Sequence, residues 1–425
     1  MSAGGRALRA WLHERIGARG PMSFAEFMEA ALYHPELGYY CREEMVTGPE
    51  GDFYTSPDVD PAFGLLIARQ IVEIADRTQP DPTSTFQIVE AGPGTGRLAR
   101  DIIAGLALER PDLARRANYT LVEISPSLRR RQHLLLVEGN APVAPRIGAV
   151  GWSSWEELVE RRAAPGAEPF IGCVVANEYL DALPVHLVQQ VADELKEVYV
   201  GARDGRFEEV TLPPSTDELS RHMEEIAARE GVRLLDGQRA EVGLRGLDWV
   251  SSLGRLFGPR GRGGALILDY GHPARELYDH ARHRGTLLCY RRHRVEEDPY
   301  PFAGEQDMTA HVDLSSVRRR AAAAGLDVAP AVTQMSFLVS LGLAAMLAEA
   351  ASQANSGAEG IRRRLAMHAL MAPGGMGEVF KVIIMAQGTG AADLTGARDP
   401  FRPSGAEKWG AGREQAAFSA GAGAA

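Results

Sequence analysis

The stretch Thr85–Glu109, TFQIVEAGPGTGRLARDIIAGLALE, decides the predicted fold. Its first residues are apolar and favour a buried strand that ends near Glu90. Its last residues place apolar side chains at helical spacing. Between them lies a glycine-rich turn, Gly92–Gly96. A strand, a glycine turn and a helix in direct succession indicate an α/β fold that binds a ligand at the carboxyl end of a parallel strand.

The spacing of the glycines excludes two common nucleotide sites. A dinucleotide fingerprint, GxGxxG, needs glycine where this chain has Arg97, and no GK[ST] follows to make a P-loop. An acidic residue ahead of the turn would repel a pyrophosphate but suits the cationic S-adenosyl-L-methionine. The predicted cofactor-binding residues of this segment are Glu90, Gly92, Pro93, Gly94 and Gly96. A tight strand–helix turn without a ligand is the alternative.

The next two predicted strands add further cofactor candidates. Val122-Glu123-Ile124 ends the second strand, where the Glu123 carboxylate can accept hydrogen bonds from ribose hydroxyls, beside Ile124. After the third strand, Trp152 in GWSS could cover the adenine ring. A tryptophan at this position is equally compatible with a place in the core.

The polar run NEYLDALP follows the fourth apolar strand, IGCVVA. Sheet topology brings Asn177, Glu178 and Asp181 to the same edge as the glycine turn, and we predict them to be catalytic. Paired carboxylates can bind a guanidinium through bidentate hydrogen bonds. In the alternative interpretation, Asp181 caps the following turn and Asn177 satisfies backbone groups.

Strands alternating with helices predict a parallel sheet covered on both faces. We divide the chain into five parts: an N-terminal helical region with an irregular lid loop (1–85), the first part of the core (86–189), an α+β insertion (190–262), the second part of the core (263–388) and a tail rich in Ala and Gly (389–425). The composition of the tail predicts disorder.

Composition and charge argue against several classes of function. The chain has 425 residues, 45% of them hydrophobic, and a net charge of −10. This acidic balance disfavours nucleic acid as a partner, and no apolar run approaches the ~20 residues that would predict membrane insertion. The three cysteines, Cys41, Cys173 and Cys289, have neither disulfide nor metal spacing. The histidines do not form a compact ligand set either, so we predict no metal site.

Eight strings in one order carry a family resemblance that extends from about residue 24 to residue 387. They are GDFYTSP (51–57), EAGPGTG (90–96), VEISPSLRRRQ (122–132), NEYLDALPV (177–185), LDYGH (268–272), DMTAHVDL (307–314), TQMSFLVSLG (333–342) and GEVFKV (377–382). The chain resembles the MidA-type class I methyltransferases, whose mitochondrial branch comprises arginine methyltransferases acting in respiratory complex I assembly. The resemblance implies a Rossmann-like, seven-stranded sheet with its last strand antiparallel. It also implies S-adenosyl-L-methionine as donor, with S-adenosyl-L-homocysteine as product.

The resemblance also implies a protein substrate whose arginine is methylated, with a complex I subunit as the candidate partner. The location would be the cytoplasm of a bacterium or the mitochondrial matrix of a eukaryote. GDFYTSP looks like a lid, which adds Asp52, Tyr54 and Thr55 to the cofactor-binding candidates; His311 and Asp313 of AHVDL become substrate-binding candidates. Two rival functions stay open: a small-molecule methyltransferase of the same fold, and a non-catalytic assembly factor that binds the cofactor. The sequence predicts no oligomeric state.

Overall fold

A computed structural model describes residues 2–42, 52, 54–79, 81, 83–139, 142–352 and 357–401. Gly51 and Phe53 of the GDFYTSP string and the tail segment 402–425 lie outside the described residues.

The α-helices are α1 (Ala3–Arg19), α2 (Phe24–Tyr33), α3 (Ser56–Val59), α4 (Ala62–Thr78), α5 (Arg97–Glu109), α6 (Pro111–Arg116), α7 (Pro126–His133), α8 (Trp155–Ala163), α9 (Asp217–Glu230), α10 (Leu244–Phe257), α11 (Ala274–Leu277), α12 (Leu314–Ala323), α13 (Gln334–Ser340), α14 (Leu343–Ser352), α15 (Ala358–Ala369) and α16 (Met376–Val379). The strands are β1 (Met22–Ser23), β2 (Phe86–Ala91), β3 (Ala117–Val122), β4 (Ala149–Ser153), β5 (Ile171–Asn177), β6 (His186–Val191), β7 (Glu194–Arg203), β8 (Arg206–Leu212), β9 (Arg239–Val242), β10 (Arg262–His272), β11 (Leu288–Arg291), β12 (Arg294–Glu296), β13 (Asp307–Thr309), β14 (Val312–Asp313), β15 (Asp327–Val328), β16 (Val332–Thr333) and β17 (Phe380–Gln387).

The main sheet has the order β15-β17-β10-β5-β2-β3-β4. Strands β4, β3, β2, β5 and β10 are mutually parallel, and the last long strand, β17, is antiparallel to β10. The predicted α/β fold and its antiparallel final strand are therefore confirmed. The predicted count of seven is too low for the described residues, because the two-residue strands β14 and β16 add to the sheet beside β10 and β17.

Helices bury both faces of this sheet. On one face α4 and α5 pack against Ile88, Cys173 and Leu266, and on the other α8, α10 and α12 pack against alternate residues such as Val89 and Val174. This alternation follows from the period of two along a strand. Regions 1–85 and 190–262 thus each supply one helix, α4 and α10, to the core.

A second, five-stranded sheet stands beside the main one. It has the order β1-β7-β6-β9, with β8 paired to β7, so the insertion incorporates one short strand from the N-terminal region. Helices α1 and α2 cover it through an apolar cluster that includes Leu12, Phe27 and Val198. This arrangement brings α2 and the segment after it to the edge of the main sheet.

The start of the predicted disordered tail is ordered. Residues Ala391–Asp393 and Thr395–Ala397 form 3-10 turns, and the side chains of Ala391 and Leu394 are fully buried. The Thr395 backbone N–H donates to Glu73 of α4 at 2.8 Å. The prediction of disorder is wrong for this stretch, because two apolar side chains in a polar sequence are enough to dock it on the core.

Among the described helices, none is by itself long and apolar enough to cross a membrane; α13 and α14 meet that criterion only as a bent pair.

Candidate active site

A cavity of about 660 Å³ opens at the carboxyl edge of the parallel strands. Its wall contains nine of the predicted site residues: Thr55, Glu90, Gly92, Pro93, Gly94, Glu123, Ile124, Asn177 and Glu178. Three separate strand ends, those of β2, β3 and β5, supply most of them, as the topology of a parallel sheet requires.

The glycine turn needs glycine at two points for different reasons. Gly92 has φ +66°, and a Cβ there would lie 2.7 Å from Cδ2 of Tyr179. Gly94 has φ +52°, and a Cβ there would meet no atom within 4 Å. Because Gly94 also lines the cavity, its bare backbone leaves open room for a ligand. Gly96 does not line the cavity; it precedes α5 and lies against Gln132.

Glu90 is a buried carboxyl group that reaches the cavity from the end of β2. The Tyr119 hydroxyl donates to its Oε2 at 2.7 Å. Burial raises the pKa of Glu90 to about 7, although the bond from Tyr119 opposes the rise. A cation placed in the cavity would therefore favour the ionised form of this group.

Glu123 is held by a small polar network at the end of β3. The Ser125 backbone N–H donates to its Oε1 at 2.8 Å, and Gln132 Nε2 donates to its Oε2 at 3.2 Å. Gln132 Nε2 also donates to the Gly94 carbonyl at 2.7 Å, so it ties this carboxylate to the glycine turn. Burial raises the pKa of Glu123 to about 7.

Trp152, which is predicted to cover the adenine ring, packs against the core instead of lining the cavity. Its indole N–H donates to Gln132 Oε1 at 2.8 Å, and its ring packs against the apolar core cluster. It does not line the cavity; Trp155, three residues later, does. The wall thus takes a tryptophan from the first turn of α8 rather than from the end of β4.

The end of β5 presents Glu178 to the cavity in an unusual backbone conformation. Glu178 has φ +49°, in the left-handed region, and its N–H donates to the Leu268 carbonyl at 2.9 Å. Asn177 Nδ2 donates to Glu178 Oε1 at 3.1 Å. Burial, followed by repulsion from Asp269, raises the pKa of Glu178 to about 8. Backbone strain and a buried acid at one residue are typical of functional sites.

Asp269, which the sequence analysis did not select, organises that turn. Its Oδ2 accepts the backbone N–H groups of Tyr179 at 3.1 Å and Leu180 at 2.8 Å. Its Oδ1 accepts the N–H of Tyr270 at 2.9 Å. Burial raises the pKa of Asp269 to about 6. The available signal was its place in LDYGH, a polar residue near the end of an apolar strand.

Asp181 does not line the cavity. Its side chain is 3% exposed, and among the described residues its Oδ1 has no hydrogen-bond partner. Burial and the neighbouring charge of Asp269 raise its pKa well above the usual range. Of these two predicted catalytic carboxylates, only Glu178 lines the cavity, because Asp181 lies in the buried turn whose backbone N–H groups donate to Asp269.

The lid candidates divide into one wall residue and two others. Thr55 lines the cavity. Asp52 lies off the wall, where it accepts hydrogen bonds from the Tyr39 hydroxyl at 2.8 Å, Arg42 Nη2 at 2.7 Å and the Arg292 backbone N–H at 2.6 Å. Asp52 thus ties the segment before it to the β11–β12 hairpin. Tyr54 is half exposed and stacks on His293.

His311 and Asp313 line a separate, much smaller cavity of about 30 Å³. Asp313 caps α12, where it accepts the Ser316 backbone N–H at 3.0 Å. Burial lowers the pKa of His311 to about 4, so the ring is neutral near pH 7. The structure does not bring this pair to the main cavity, and their predicted role in binding the substrate stays a prediction.

Aromatic side chains that the sequence analysis missed form much of the remaining wall. Tyr179 and Trp155 each pack against Trp249, with ring centroids 5.2 and 4.8 Å apart. Tyr33 of α2 donates its hydroxyl to the Ala182 carbonyl at 2.9 Å, and Tyr40 donates to Asp307 Oδ1 at 2.6 Å. No local pattern identifies Tyr33, Tyr40 or Trp249, because elements distant in sequence bring them to the cavity.

In the part of the chain that the structure describes, no group of three or more His, Cys, Asp or Glu side chains is arranged to hold a metal ion.

Comparisons with known proteins bear on what this cavity binds. Residues 66–332 match the model of a family of S-adenosyl-L-methionine-dependent methyltransferases. The chain is 32% identical over 410 residues to "Protein arginine methyltransferase NDUFAF7 homolog, mitochondrial" of Drosophila melanogaster, covering 92% of this chain and 87% of the relative. It is 28% identical to the Homo sapiens protein arginine methyltransferase NDUFAF7, mitochondrial, covering 86% of this chain and 80% of the relative.

The fold of this chain is also similar to that of a solved structure. The crystal structure of a COG1565 superfamily member from Burkholderia thailandensis bound to S-adenosyl-homocysteine has a TM-score of 0.77 and 32% identity. The match covers 93% of this chain and 95% of that one.

The residues of the cavity fit the donor of this family. Glu123 offers a carboxylate for ribose hydroxyls, Gly94 leaves space beside the turn, and Glu90 suits a cationic ligand. The chain belongs to the family of S-adenosyl-L-methionine-dependent methyltransferases.

Proposed function

We propose that this enzyme methylates an arginine side chain of a protein. The observation that carries the proposal is Glu178, an acid on the cavity wall at the end of β5, held in a left-handed conformation beside Asn177. A guanidinium is a planar cation that matches a carboxylate in charge and in hydrogen-bond geometry. The names of the relatives, protein arginine methyltransferases, support the same acceptor.

In the proposed reaction, Glu178 binds and orients the acceptor. S-adenosyl-L-methionine, when bound, supplies a methyl group on a sulfonium, and the S–C bond breaks as a C–N bond forms. The Glu178 carboxylate accepts an N–H of the guanidinium and takes the proton that the nitrogen loses. Burial raises the pKa of this group to about 8 when no cation is bound, so it is then mostly protonated near neutral pH. A bound guanidinium favours the ionised form, and the carboxylate is then basic enough to take that proton.

The aromatic residues of the wall would surround the acceptor. Tyr33 and Tyr40 have their hydroxyls engaged by Ala182 and Asp307, so their rings are fixed in place. Fixed rings can stack on a guanidinium and exclude water from the reacting nitrogen. This arrangement would lower the entropic part of the barrier.

We propose a subunit of respiratory complex I (NADH:quinone oxidoreductase) as the partner, methylated during assembly. The motifs shared with the MidA-type family support this choice. The named relatives are mitochondrial, and the proposed location of this chain is the matrix in a eukaryote or the cytoplasm in a bacterium.

The test is incubation of the enzyme with isotopically labelled donor and a lysate of its own cells, followed by mass spectrometry of the labelled species. We expect label on an arginine of a protein. Label on a metabolite would indicate a small-molecule methyltransferase. Binding of S-adenosyl-L-homocysteine without any labelled product would indicate a non-catalytic assembly factor.

The variant Glu178→Gln tests the role of the carboxylate. Glutamine keeps the acceptor oxygen for Asn177 but loses the charge and the basicity, so we expect methylation to fall by at least ~100-fold, the scale of general-base catalysis. Binding of S-adenosyl-L-homocysteine, measured by calorimetry, should change by less than ~3-fold. The matched control is Glu241→Gln, a buried glutamate off the main cavity. Full methylation by Glu178→Gln would contradict the assignment.

A further inference from the structure

Arg97 supplies a cation to a wall that is otherwise strongly acidic. Among the described residues, eight acidic side chains and three arginines, Arg97, Arg245 and Arg255, line the main cavity. The family's donor is cationic at its sulfonium and amino groups but carries one anion, the carboxylate of its methionine part. A carboxylate that enters an acidic cavity needs a cationic partner, since burial of an unpaired charge is strongly unfavourable.

The three arginines lie on different sides of the site. Arg245 and Arg255 belong to α10, which packs on the sheet face opposite to α5. Arg245 forms an ion pair with Glu29 of α2. Arg97 is the first residue of α5 and follows the glycine turn directly, so it lies on the same strand–helix connection as Gly92 and Gly94.

A buried aspartate orients the Arg97 side chain. Arg97 Nη1 lies 3.0 Å from Oδ1 of Asp58, whose side chain is 3% exposed. Asp58 Oδ2 in turn accepts the backbone N–H of Thr55 at 3.1 Å and its hydroxyl at 2.8 Å. The guanidinium has five N–H donors, and this ion pair leaves others available to a ligand in the cavity.

We propose that Arg97 binds the carboxylate of the donor's methionine part, with Asp58 as the positioning residue that holds the guanidinium in place. This role explains why a cation follows the glycine turn at the position where a dinucleotide fingerprint has its third glycine. It would also link the segment Thr55–Asp58 to the bound cofactor, because Asp58 contacts both Thr55 and Arg97. The inference rests on the donor of the family and is independent of the proposed arginine acceptor.

The test compares two ligands that differ only in the carboxylate: S-adenosyl-L-homocysteine and its decarboxylated form, S-adenosyl-3-thiopropylamine. Calorimetry with the wild-type enzyme should give tighter binding of S-adenosyl-L-homocysteine by about 10- to 100-fold, the range expected for hydrogen bonds between charged groups. In Arg97→Gln this preference should fall to within ~3-fold, since the cation is gone.

Further variants complete the test. Arg97→Lys keeps the charge but loses the planar fork, so it should retain part of the preference, and it serves if the glutamine variant folds poorly. The assignment would be overturned if Arg97→Gln kept the wild-type preference for S-adenosyl-L-homocysteine over its decarboxylated form. It would also be overturned if the substitution weakened the binding of both ligands equally. If Arg245→Gln or Arg255→Gln lost this preference while Arg97→Gln kept it, the carboxylate would bind to an arginine of α10 instead. Failure to label an arginine in the acceptor assay would leave this result untouched.

Discussion

Glu178 combines three properties that are individually uncommon. It is a non-glycine residue with positive φ, it carries a carboxyl group with a raised pKa, and it lines the cavity. Left-handed backbone at such a residue costs about 1–3 kcal/mol and persists only where neighbouring bonds impose it. Two sets of hydrogen bonds impose it here. The Glu178 N–H donates to the Leu268 carbonyl, and Asp269 accepts the N–H groups of the two residues that follow Glu178. In this conformation Glu178 lines the cavity, where we propose that the acceptor binds.

The first prediction concerns Gly94. In Gly94→Ala the new Cβ would occupy ligand space at φ +52°, so we expect S-adenosyl-L-homocysteine to bind at least ~10-fold more weakly, a loss of about 1.4 kcal/mol or more. The matched control is Gly205→Ala in the β7–β8 turn, where φ is +72° and the Cβ likewise meets no atom within 4 Å. Both variants should lose similar stability. Equal binding by the two would contradict the assignment of the turn.

At the scale of elements, one aspartate joins two strands of the site. Asp269 lies on β10, yet its carboxylate binds backbone groups that follow β5. The two strands are parallel neighbours, so their ends meet at the cavity. A carboxylate that accepts several N–H groups is an alternative to regular secondary structure for satisfying a buried turn. The shape of the turn, and with it the position of Glu178, depends on this contact.

The second prediction tests that dependence with Asp269→Asn. Replacing the charged acceptor weakens its bonds to Tyr179 and Leu180, so we expect unfolding free energy to fall by about 1–3 kcal/mol and methylation to fall at least ~10-fold. Urea unfolding and the labelled-donor assay measure the two effects.

The control for this variant is Glu241→Gln. Glu241 is also a buried carboxylate that accepts two backbone N–H groups, those of Thr286 and Leu287, but it lies off the main cavity. It should lose comparable stability and keep its activity. If both variants lose activity in proportion to stability, Asp269 has only a structural role.

At the scale of the whole molecule, the acids that line the cavity couple the stability of the ligand-free enzyme to pH. Burial raises the pKa of Glu90 and Glu123 to about 7 and of Glu178 to about 8, above their unfolded value near 4.5. Between these values the folded state binds more protons than the unfolded one, so stability falls as pH rises. His222, His272 and His311, whose pKa values burial lowers to about 4, act in the opposite direction, and their effect fades as pH rises through their unfolded value near 6.5.

The third prediction follows from these signs. The melting temperature of the ligand-free enzyme should decline as pH rises from 7 to 8.5, where the titration of the three cavity carboxyls outweighs that of the histidines. The melting temperature of Glu178→Gln should change less over this range than that of the wild type. At pH 8.5 the variant should be more stable than the wild type by roughly 1 kcal/mol or more. Differential scanning calorimetry provides the measurement. A wild-type melting temperature that rises over this range would contradict the raised pKa values.

Some residues of the site could be predicted from the sequence, and others could not. Glu90, Glu123 and Glu178 were identified because each ends an apolar strand, and strand ends of a parallel sheet share one edge. Asp181, three residues after Glu178, is predicted to share the site with it, but it is buried in the turn and does not line the cavity. Asp52 was predicted at the cofactor, whereas its contacts are with Tyr39, Arg42 and Arg292. Such contacts have no periodicity that a sequence pattern could reveal.

The sequence by itself determined the order of strands and helices, the glycine turn and the acidic strand ends, because local periodicity and turn chemistry encode these features. Only the tertiary structure decided which side chains complete the cavity. Tyr33 reaches the Ala182 carbonyl across 149 residues of chain, and Asp269 holds a turn about 90 residues away. Contacts of this kind depend on how distant elements pack, and packing is a property of the whole fold rather than of any segment.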